Sequence, residues 1–220
     1  MLIPMHSATL LIDTFTLGPF ETNCYIVHAR NHPDCFFIDA GFSPAPLVAR
    51  VRELALSPLA LILTHAHADH IAGVRQLRAA FPDLPIWIHA AEAPWLLDPN
   101  LNLSAAIGVP VTAPPADRLL AHLDSLSLLE RDFVVLHTPG HSPGGITLHQ
   151  PDAAVAFVGD TLFAGSVGRT DFPGSDPDTL ADSIRRTLYA LPPHTRVLPG
   201  HGPPTTIERE MRSNPFVRAR

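Results

Sequence analysis

The 220-residue chain contains no lysine. That absence excludes a lysine Schiff base and a lysine general base. Combined with a formal net charge of −6, it also argues against the broad basic face that nucleic-acid binding needs. Cysteine is nearly missing as well, with only Cys24 and Cys35. The two fall on successive strands of an expected hairpin that turns near Asn31-His32-Pro33. A tight turn there sets Cys24 opposite Asp39 rather than Cys35, too far for a bridge. Free buried thiols in a reducing, cytoplasmic setting follow. No apolar run is long enough to span a bilayer, and MLIPMHSATL has no basic region ahead of its short, interrupted apolar stretch, so neither a membrane partner nor an export signal is expected. Charged residues make up 16% and hydrophobic residues 46%, a balance that favours a buried core over disorder. There is no Gly/Ser linker, low-complexity tract or short repeat, so residues 1–220 read as one domain.

What is present is a sequence of strands followed by helices. LLIDTFTL, NCYIVHA and CFFIDAG read as strands. PAPLVARVREL carries helical spacing at Leu47, Val51 and Leu54. LALILTH is a continuous apolar run of the kind found in strands covered on both faces. IAGVRQLRAAF reads as a helix with Ile71, Val74, Leu77 and Phe81 on one side. PIWIHA is a strand and AEAPWLL a short helix. Residues 98–118 lack periodicity and are rich in Pro, Asn and small residues. So long a loop in a compact domain reads as a lid. DFVVLHT, GITLHQ and AVAFVGD resume the strands. DTLADSIRRTLYAL is a helix capped at Asp176 or Asp178. TRVLPGH is the last strand, and TTIEREMRSN a final helix capped at Thr205 or Thr206. Strands buried on both faces, in two halves, are satisfied by two sheets packed face to face with helices outside.

THAHADH stands at the end of LALIL, where a buried strand meets a helix. Ligands at the carboxyl ends of strands are the usual site in an α/β fold. His65 and His67, two apart in an extended segment, point the same way and can converge on one ion. Asp69 and His70, at the turn into the helix, can face a second. Imidazole and carboxylate together suit zinc, iron or manganese. One loop cannot complete two coordination spheres. His141 in HTPGHSPG, Asp160 in VGDTLF and His201 in LPGHGP each follow an apolar strand beside a glycine and are the candidates to complete them. His6, His28, His32, His122, His137, His149 and His194 read as surface or satisfied core histidines. His89 ends a strand but lacks the glycine context.

THAHADH, PGHSPG, GDTLF and LPGHGP in that order resemble the metallo-β-lactamase fold superfamily across nearly the whole chain. The resemblance implies an α/β, four-layer αβ/βα sandwich with its site on one edge. It further implies two divalent metal ions, zinc first, with iron or manganese as the other choices. His65, His67 and His141 would hold one ion and Asp69, His70 and His201 the other, with Asp160 bridging. Asp39 in IDAG is similar to the family's structural aspartate, and Thr64 and Thr161 would lie behind the ligands.

GDTLFAGSVGRTDFPGSD and EREMRSNPF are similar to a short bacterial group of glyoxalase II-like hydrolases without the separate helical glutathione-binding domain. This implies hydrolysis of a thioester such as S-lactoylglutathione by a water activated between the metals, with Asp69 and Asp160 as catalytic carboxylates. Arg169 and Asp171 would contact a small-molecule substrate, glutathione-derived or not, or pair with each other. Asn102 and Ser104, in the lid-like loop, are further candidate contacts. The protein is expected as a monomer or small homo-oligomer. The rival is a mononuclear-iron persulfide dioxygenase, which shares THxHADH and GRTDF and would use the counterparts of His65, His141 and Asp160. LPGHGP and the NPF tail favour the hydrolase. A β-lactamase or lactonase ranks lower, because the zinc-binding cysteine of the commonest β-lactamase class is missing near Asp160. A non-catalytic metal-binding protein ranks lower still, since all seven ligands are present.

Overall fold

Hydrophobic strands that alternate their side chains between two covered faces build this molecule from the middle outwards. The computed structural model describes residues 9–219. Residues 1–8 of the stretch read above for a leader, His6 among them, lie outside them. The first sheet has six strands in sequence order: β1 (Leu10–Leu17), β2 (Thr22–Ala29), β3 (Asp34–Ile38), β4 (Ser57–Ile62), β5 (Ile86–His89) and β6 (Arg118–Leu120). β1, β2 and β3 pair antiparallel, and β3 to β6 pair parallel. The second sheet uses β7 (Ser125–Leu128), β8 (Arg131–His137), β9 (Ile146–Gln150), β10 (Val155–Gly159), β13 (Arg196–Pro199) and β14 (Thr205–Thr206). Its order is β14-β13-β10-β9-β8-β7. A small hairpin of β11 (Leu162–Phe163) and β12 (Ser166–Val167) stands apart.

The alternation is visible in β2. Tyr25 and Val27 face the space between the sheets with Phe36, Ile62, Phe133 and Phe157. Cys24 and Ile26 face the other way, onto Leu47 and Val51 of α1 (Ala45–Glu53) and Leu77 of α3 (Val74–Ala80). On the far side, Val158 and Val197 meet Leu180 and Ile207, from α4 (Pro177–Ser183) and α5 (Ile207–Ser213). Helix, sheet, sheet and helix give the four layers expected. Phe36 and Phe133 meet edge to face across the middle, with ring centroids 5.1 Å apart. Each such ring removes enough apolar surface from water to contribute roughly 1.5–3 kcal/mol.

Several local expectations are refined. The helix expected from Ile71 to Phe81 is broken: α2 (Ala68–Ile71) ends before Gly73, whose N–H leaves the helical pattern to donate to the Ala40 carbonyl at 2.8 Å. AEAPWLL is a 3-10 helix, Ala90–Leu97. Asp176 and Thr206 are the caps of α4 and α5, each accepting from an N–H three residues on. α4 continues into a wider π turn at Ile184–Leu188. The loop after residue 97 gives way to β6 at Arg118. The short strands β6, β7, β11 and β12 escape sequence reading because two to four residues are too few to display a period. The pairing of β2 with β3 matches His28 with Cys35 and Tyr25 with Ile38. Cys24 therefore lies next in register to Asp39, as the hairpin argument requires, and both cysteines are free and buried. No helix among the described residues is long and apolar enough to cross a membrane.

Candidate metal centre

All seven sequence-nominated ligands come together at one edge of the sandwich. Their donor atoms form three overlapping groups, each with donors within 4.8 Å of one another: His65, His67 and His141; His65, His70 and Asp160; and Asp69, His70 and His201. His70 and Asp160 stand between the outer groups. Nε2 of His70 lies 3.4 Å from both Asp69 Oδ2 and Asp160 Oδ1. Nε2 of His201 lies 3.1 Å from Asp69 Oδ2 and 3.5 Å from Asp160 Oδ2. His67 Nδ1 and His141 Nε2 face each other at 2.9 Å.

Five of the seven candidate ligands, or the loops that carry them, are held by groups behind them. Asp39 accepts from the Thr64 N–H at 2.7 Å and the Thr64 hydroxyl at 2.8 Å, and its Oδ2 lies 2.8 Å from His70 Nδ1. Because Thr64 Oγ1 donates to Asp39, it is left to accept from His65 Nδ1 at 3.1 Å. Backbone carbonyl 169 accepts from His141 Nδ1 at 2.8 Å. These bonds put the ring proton on Nδ1 in His65, His70 and His141 and leave each Nε2 lone pair for an ion. Thr22 donates to Asp69 Oδ2 at 2.9 Å. The His201 loop is fixed from β2: the Asn23 N–H donates to the Gly200 carbonyl at 2.7 Å, and Tyr25 donates to the Pro199 carbonyl at 2.6 Å.

Glycine is required at two of these joints. Gly159 has φ +50° and a Cβ there would lie 2.6 Å from Thr64 Oγ1. At Gly200 a Cβ would collide with Asp160 Oδ1. Either change would displace a ligand or the group that aims it.

Whether the residues fit a metal is tested by their unmet valences. Nε2 of His65, His67 and His70 and Oδ1 of Asp160 are buried without a hydrogen-bond partner. Leaving so many buried polar atoms unsatisfied is costly unless a further group completes them. The electrostatics point the same way. Burial holds the His65 imidazole well below its ordinary range, with neighbouring histidines adding to the effect. Burial and His141 hold His67 down at about 3. Burial also opposes a charge on His70, but Asp69, Asp160 and Asp39 overcome it and raise its pKa well above the usual value. Burial would raise the carboxyls of Asp69 and Asp160, yet His70 and other histidines pull both below the normal carboxylate range. Neutral imidazoles on one side and ionised carboxylates on the other are the protonation states that ligate divalent ions. The negative charge that now holds a proton on His70 would equally draw a cation to take that proton's place.

Sequence reasoning missed Glu92. Its carboxylate is buried, accepting from the Ala66 N–H at 2.5 Å and the Gly144 N–H at 2.7 Å. It thereby ties the His65–His67 turn to the loop that carries His141. Only a glutamate in an otherwise apolar short helix, AEAPWLL, hinted at it.

Above the ligands lies a cavity of about 770 Å³, bordered by Phe20, Leu103, Ile107, Phe163, Phe172 and Pro173 together with Arg169. The loop 98–117 forms one wall. Of the two substrate contacts expected in that loop, Asn102 borders the cavity and Ser104 is not among its lining residues; both are fully buried, with their side chains engaged inside the loop. Asn102 Nδ2 donates to the carbonyls of Trp95 and Val111, both at 3.0 Å, and Ser104 Oγ accepts from the Val111 N–H at 2.8 Å. A carbonyl in the same loop, at Asn102, accepts from the Ala68 N–H at 2.9 Å and so braces the ligand turn. Arg169 and Asp171 form a two-pronged pair, 2.9 and 2.7 Å, on the exposed side of the opposite wall. Thr161 is buried and donates to the Thr138 hydroxyl at 3.3 Å.

This fold is shared with known proteins. Residues 17–201 match the Metallo-beta-lactamase superfamily, and the chain belongs to that family. Among its relatives, the probable metallo-hydrolase YqgX of Bacillus subtilis is 40% identical over 91% of this chain and 94% of its own length. The hydroxyacylglutathione hydrolase GloC of Haemophilus influenzae is 35% identical over 95% of this chain and 99% of its own. Two solved structures are also similar. BLEG-1 B3 metallo-beta-lactamase superposes with a TM-score of 0.90 at 42% identity, covering 94% of this chain and 99% of that one. TTHA1623, in a di-iron-bound form, superposes with a TM-score of 0.82 at 43% identity, covering 93% and 100%.

Proposed function

We propose that this protein is a binuclear metallohydrolase that cleaves thioesters, with His65, His67 and His141 holding one divalent ion, Asp69, His70 and His201 the other, and Asp160 bridging them. The observation that carries the reading is the set of unmet buried polar atoms, Nε2 of His65 and His70 and Oδ1 of Asp160, inside a cluster in which His65, His70 and His141 are oriented by bonds at Nδ1. When bound, a divalent pair acidifies water towards neutral pH and polarises a carbonyl oxygen. The chain's own residues do the rest. Asp39, Thr64 and the carbonyl at position 169 hold the imidazoles in the ligating tautomer. Asp69 borders the cavity, is kept ionised by His70 and His201, and is the carboxylate placed to receive the proton of the attacking water. Phe172, 5.5 Å from the His67 ring and 6.0 Å from that of His141, covers the ligands on the cavity side and limits water there.

The overall reaction adds one water to the thioester. The water oxygen bonds to the acyl carbon and the C–S bond breaks. The thiolate takes one water proton, and the acid releases the other. No protein nucleophile is needed. Cys24 is buried and its thiol is pushed up to about 12 by that burial, which removes it as a candidate. The similarity to GloC, whose name states a thioester hydrolase, supports the reading; the di-iron form of TTHA1623 supports iron beside zinc and manganese.

The rival reading, a mononuclear-iron persulfide dioxygenase, would need His65, His141 and Asp160 but not the Asp69–His70–His201 group. Protein reconstituted with zinc, iron or manganese should bind about two ions per chain and hydrolyse a thioester. Oxygen consumption with glutathione persulfide, with one iron per chain, would replace this assignment with the rival. The likeness to BLEG-1 makes a β-lactam and a lactone the necessary further substrates in the same assay.

A further inference from the structure

The cavity over the metal centre carries information about the substrate that its ligands do not, and reading it rests on the hydrolase assignment above. Its border is formed by Phe20, Leu103, Ile107, Phe163, Phe172 and Pro173, apolar side chains from four separate stretches of chain. Two of them lie open at the rim, with Phe20 45% and Ile107 43% exposed. Large apolar groups left facing water around a pocket mark a surface that an apolar partner covers. Cations are scarce there. Arg169 is the only arginine among the described residues that line the cavity, and the chain has no lysine. That one guanidinium is already matched: it forks onto both oxygens of Asp171 and lies over the Phe172 ring, 4.4 Å from its centroid. Of the wall's other polar side chains, Asn102 is turned inward and Asn100 donates to Asp98.

A glutathione thioester brings two carboxylates and an ammonium. Desolvating a carboxylate against this wall without a free cation is costly. An uncharged thioester with an aryl or branched alkyl arm would instead bury its apolar surface on the border residues. We infer that the preferred substrate is an uncharged thioester bearing an apolar arm, and that the Arg169–Asp171 pair acts against carboxylate-bearing thioesters by keeping the pocket's cation occupied.

The test compares kcat/KM of the metal-loaded protein on S-phenylacetyl-N-acetylcysteamine and on S-lactoylglutathione. Preference for the uncharged aryl thioester by at least about tenfold is expected, the scale on which apolar pockets discriminate. Asp171→Asn, which frees Arg169, should shift the ratio towards S-lactoylglutathione by up to about fivefold, the scale of one exposed ion pair. Phe20→Ser and Ile107→Ser should weaken the aryl thioester through KM more than through kcat, the signature of lost uniform binding. Equal or better turnover of S-lactoylglutathione by the unaltered protein, or an Asp171→Asn ratio that does not move, would overturn the inference while leaving the thioester-hydrolase reading standing. Hydrolysis of neither thioester by a fully metal-loaded protein would overturn both.

Discussion

The floor and the wall of the cavity are built on opposite principles. The floor is polar, buried and over-determined: His70 is held by Asp39, Asp39 by two bonds from Thr64, and His65 by Thr64 in turn. The wall is apolar and half open; Arg169 is paired with Asp171, and Asn102 is turned onto backbone carbonyls of its own loop. The difference separates chemistry from selection. A floor whose imidazoles are largely held from behind fixes what happens to a bond. A wall of Phe, Leu and Ile fixes which molecule is held there, and can change without disturbing the ligands.

If that division holds, changes in the floor must alter metal content and changes in the wall must not. The largest effect is expected from His65→Ala, which removes a ligand common to two of the donor groups. Turnover should fall by at least about 10³-fold, the several kcal/mol that a metal contributes. Metal analysis of the same sample should show fewer ions per chain; a fully loaded, active variant would break the distinction at its base.

Next come the residues that aim the ligands. Asp39→Asn and Glu92→Gln keep the shape but place an amide where a carboxylate accepts two N–H bonds or orients an imidazole. Metal affinity should weaken by about 10- to 100-fold, the usual result of losing such support. Competition with a chelator measures it, and an unchanged affinity would show that these carboxylates only pack.

The metal-free protein should show the floor's electrostatics as a stability maximum near pH 6.5, the ordinary pKa of histidine. Below that value the unfolded chain takes protons that buried His65 and His67 refuse, so stability falls as pH drops towards the depressed value of about 3 at His67. Above it the folded state holds protons on His70 and His201 that the unfolded chain has released, so stability falls as pH rises through their elevated values. Each fully engaged group contributes a slope of about 1.4 kcal/mol per pH unit. Urea midpoints from pH 4 to 9 would trace the curve. A monotonic trend would contradict the opposed shifts.

The smallest effect on the fold is expected from Arg169→Ala, in the wall. The pair with Asp171 is solvent-exposed, and exposed pairs contribute little. The thermal midpoint and the metal content should both stay the same. A loss of metal would mean that the carbonyl at position 169, which aims His141, depends on the arginine side chain.

This same division governs what the sequence discloses. The candidate ligands are legible because ion binding would demand particular side chains at strand ends, and His65, His67, Asp69 and His70 are concentrated in one turn. The sandwich is legible because its strands are long enough to show their period. Glu92, Thr22 and Asn23 are not legible, since their roles arise only when distant loops meet and a single glutamate or asparagine carries no pattern. Asn102 and Ser104 show a related ambiguity. A polar residue in a long loop reads as a contact for substrate, yet the same loop has backbone groups of its own to satisfy, and these two satisfy them. The substrate wall leaves only scattered apolar residues in the sequence, indistinguishable there from core.

The most direct test is a titration of metal-free protein with zinc or iron(II), following bound metal and thioester hydrolysis in the same samples. Turnover should be absent at the start and rise with occupancy, levelling off at about two ions per chain. Hydrolysis by the metal-free protein, or a chain that binds no ion under these conditions, would contradict a metal centre assembled from positions 65 to 201.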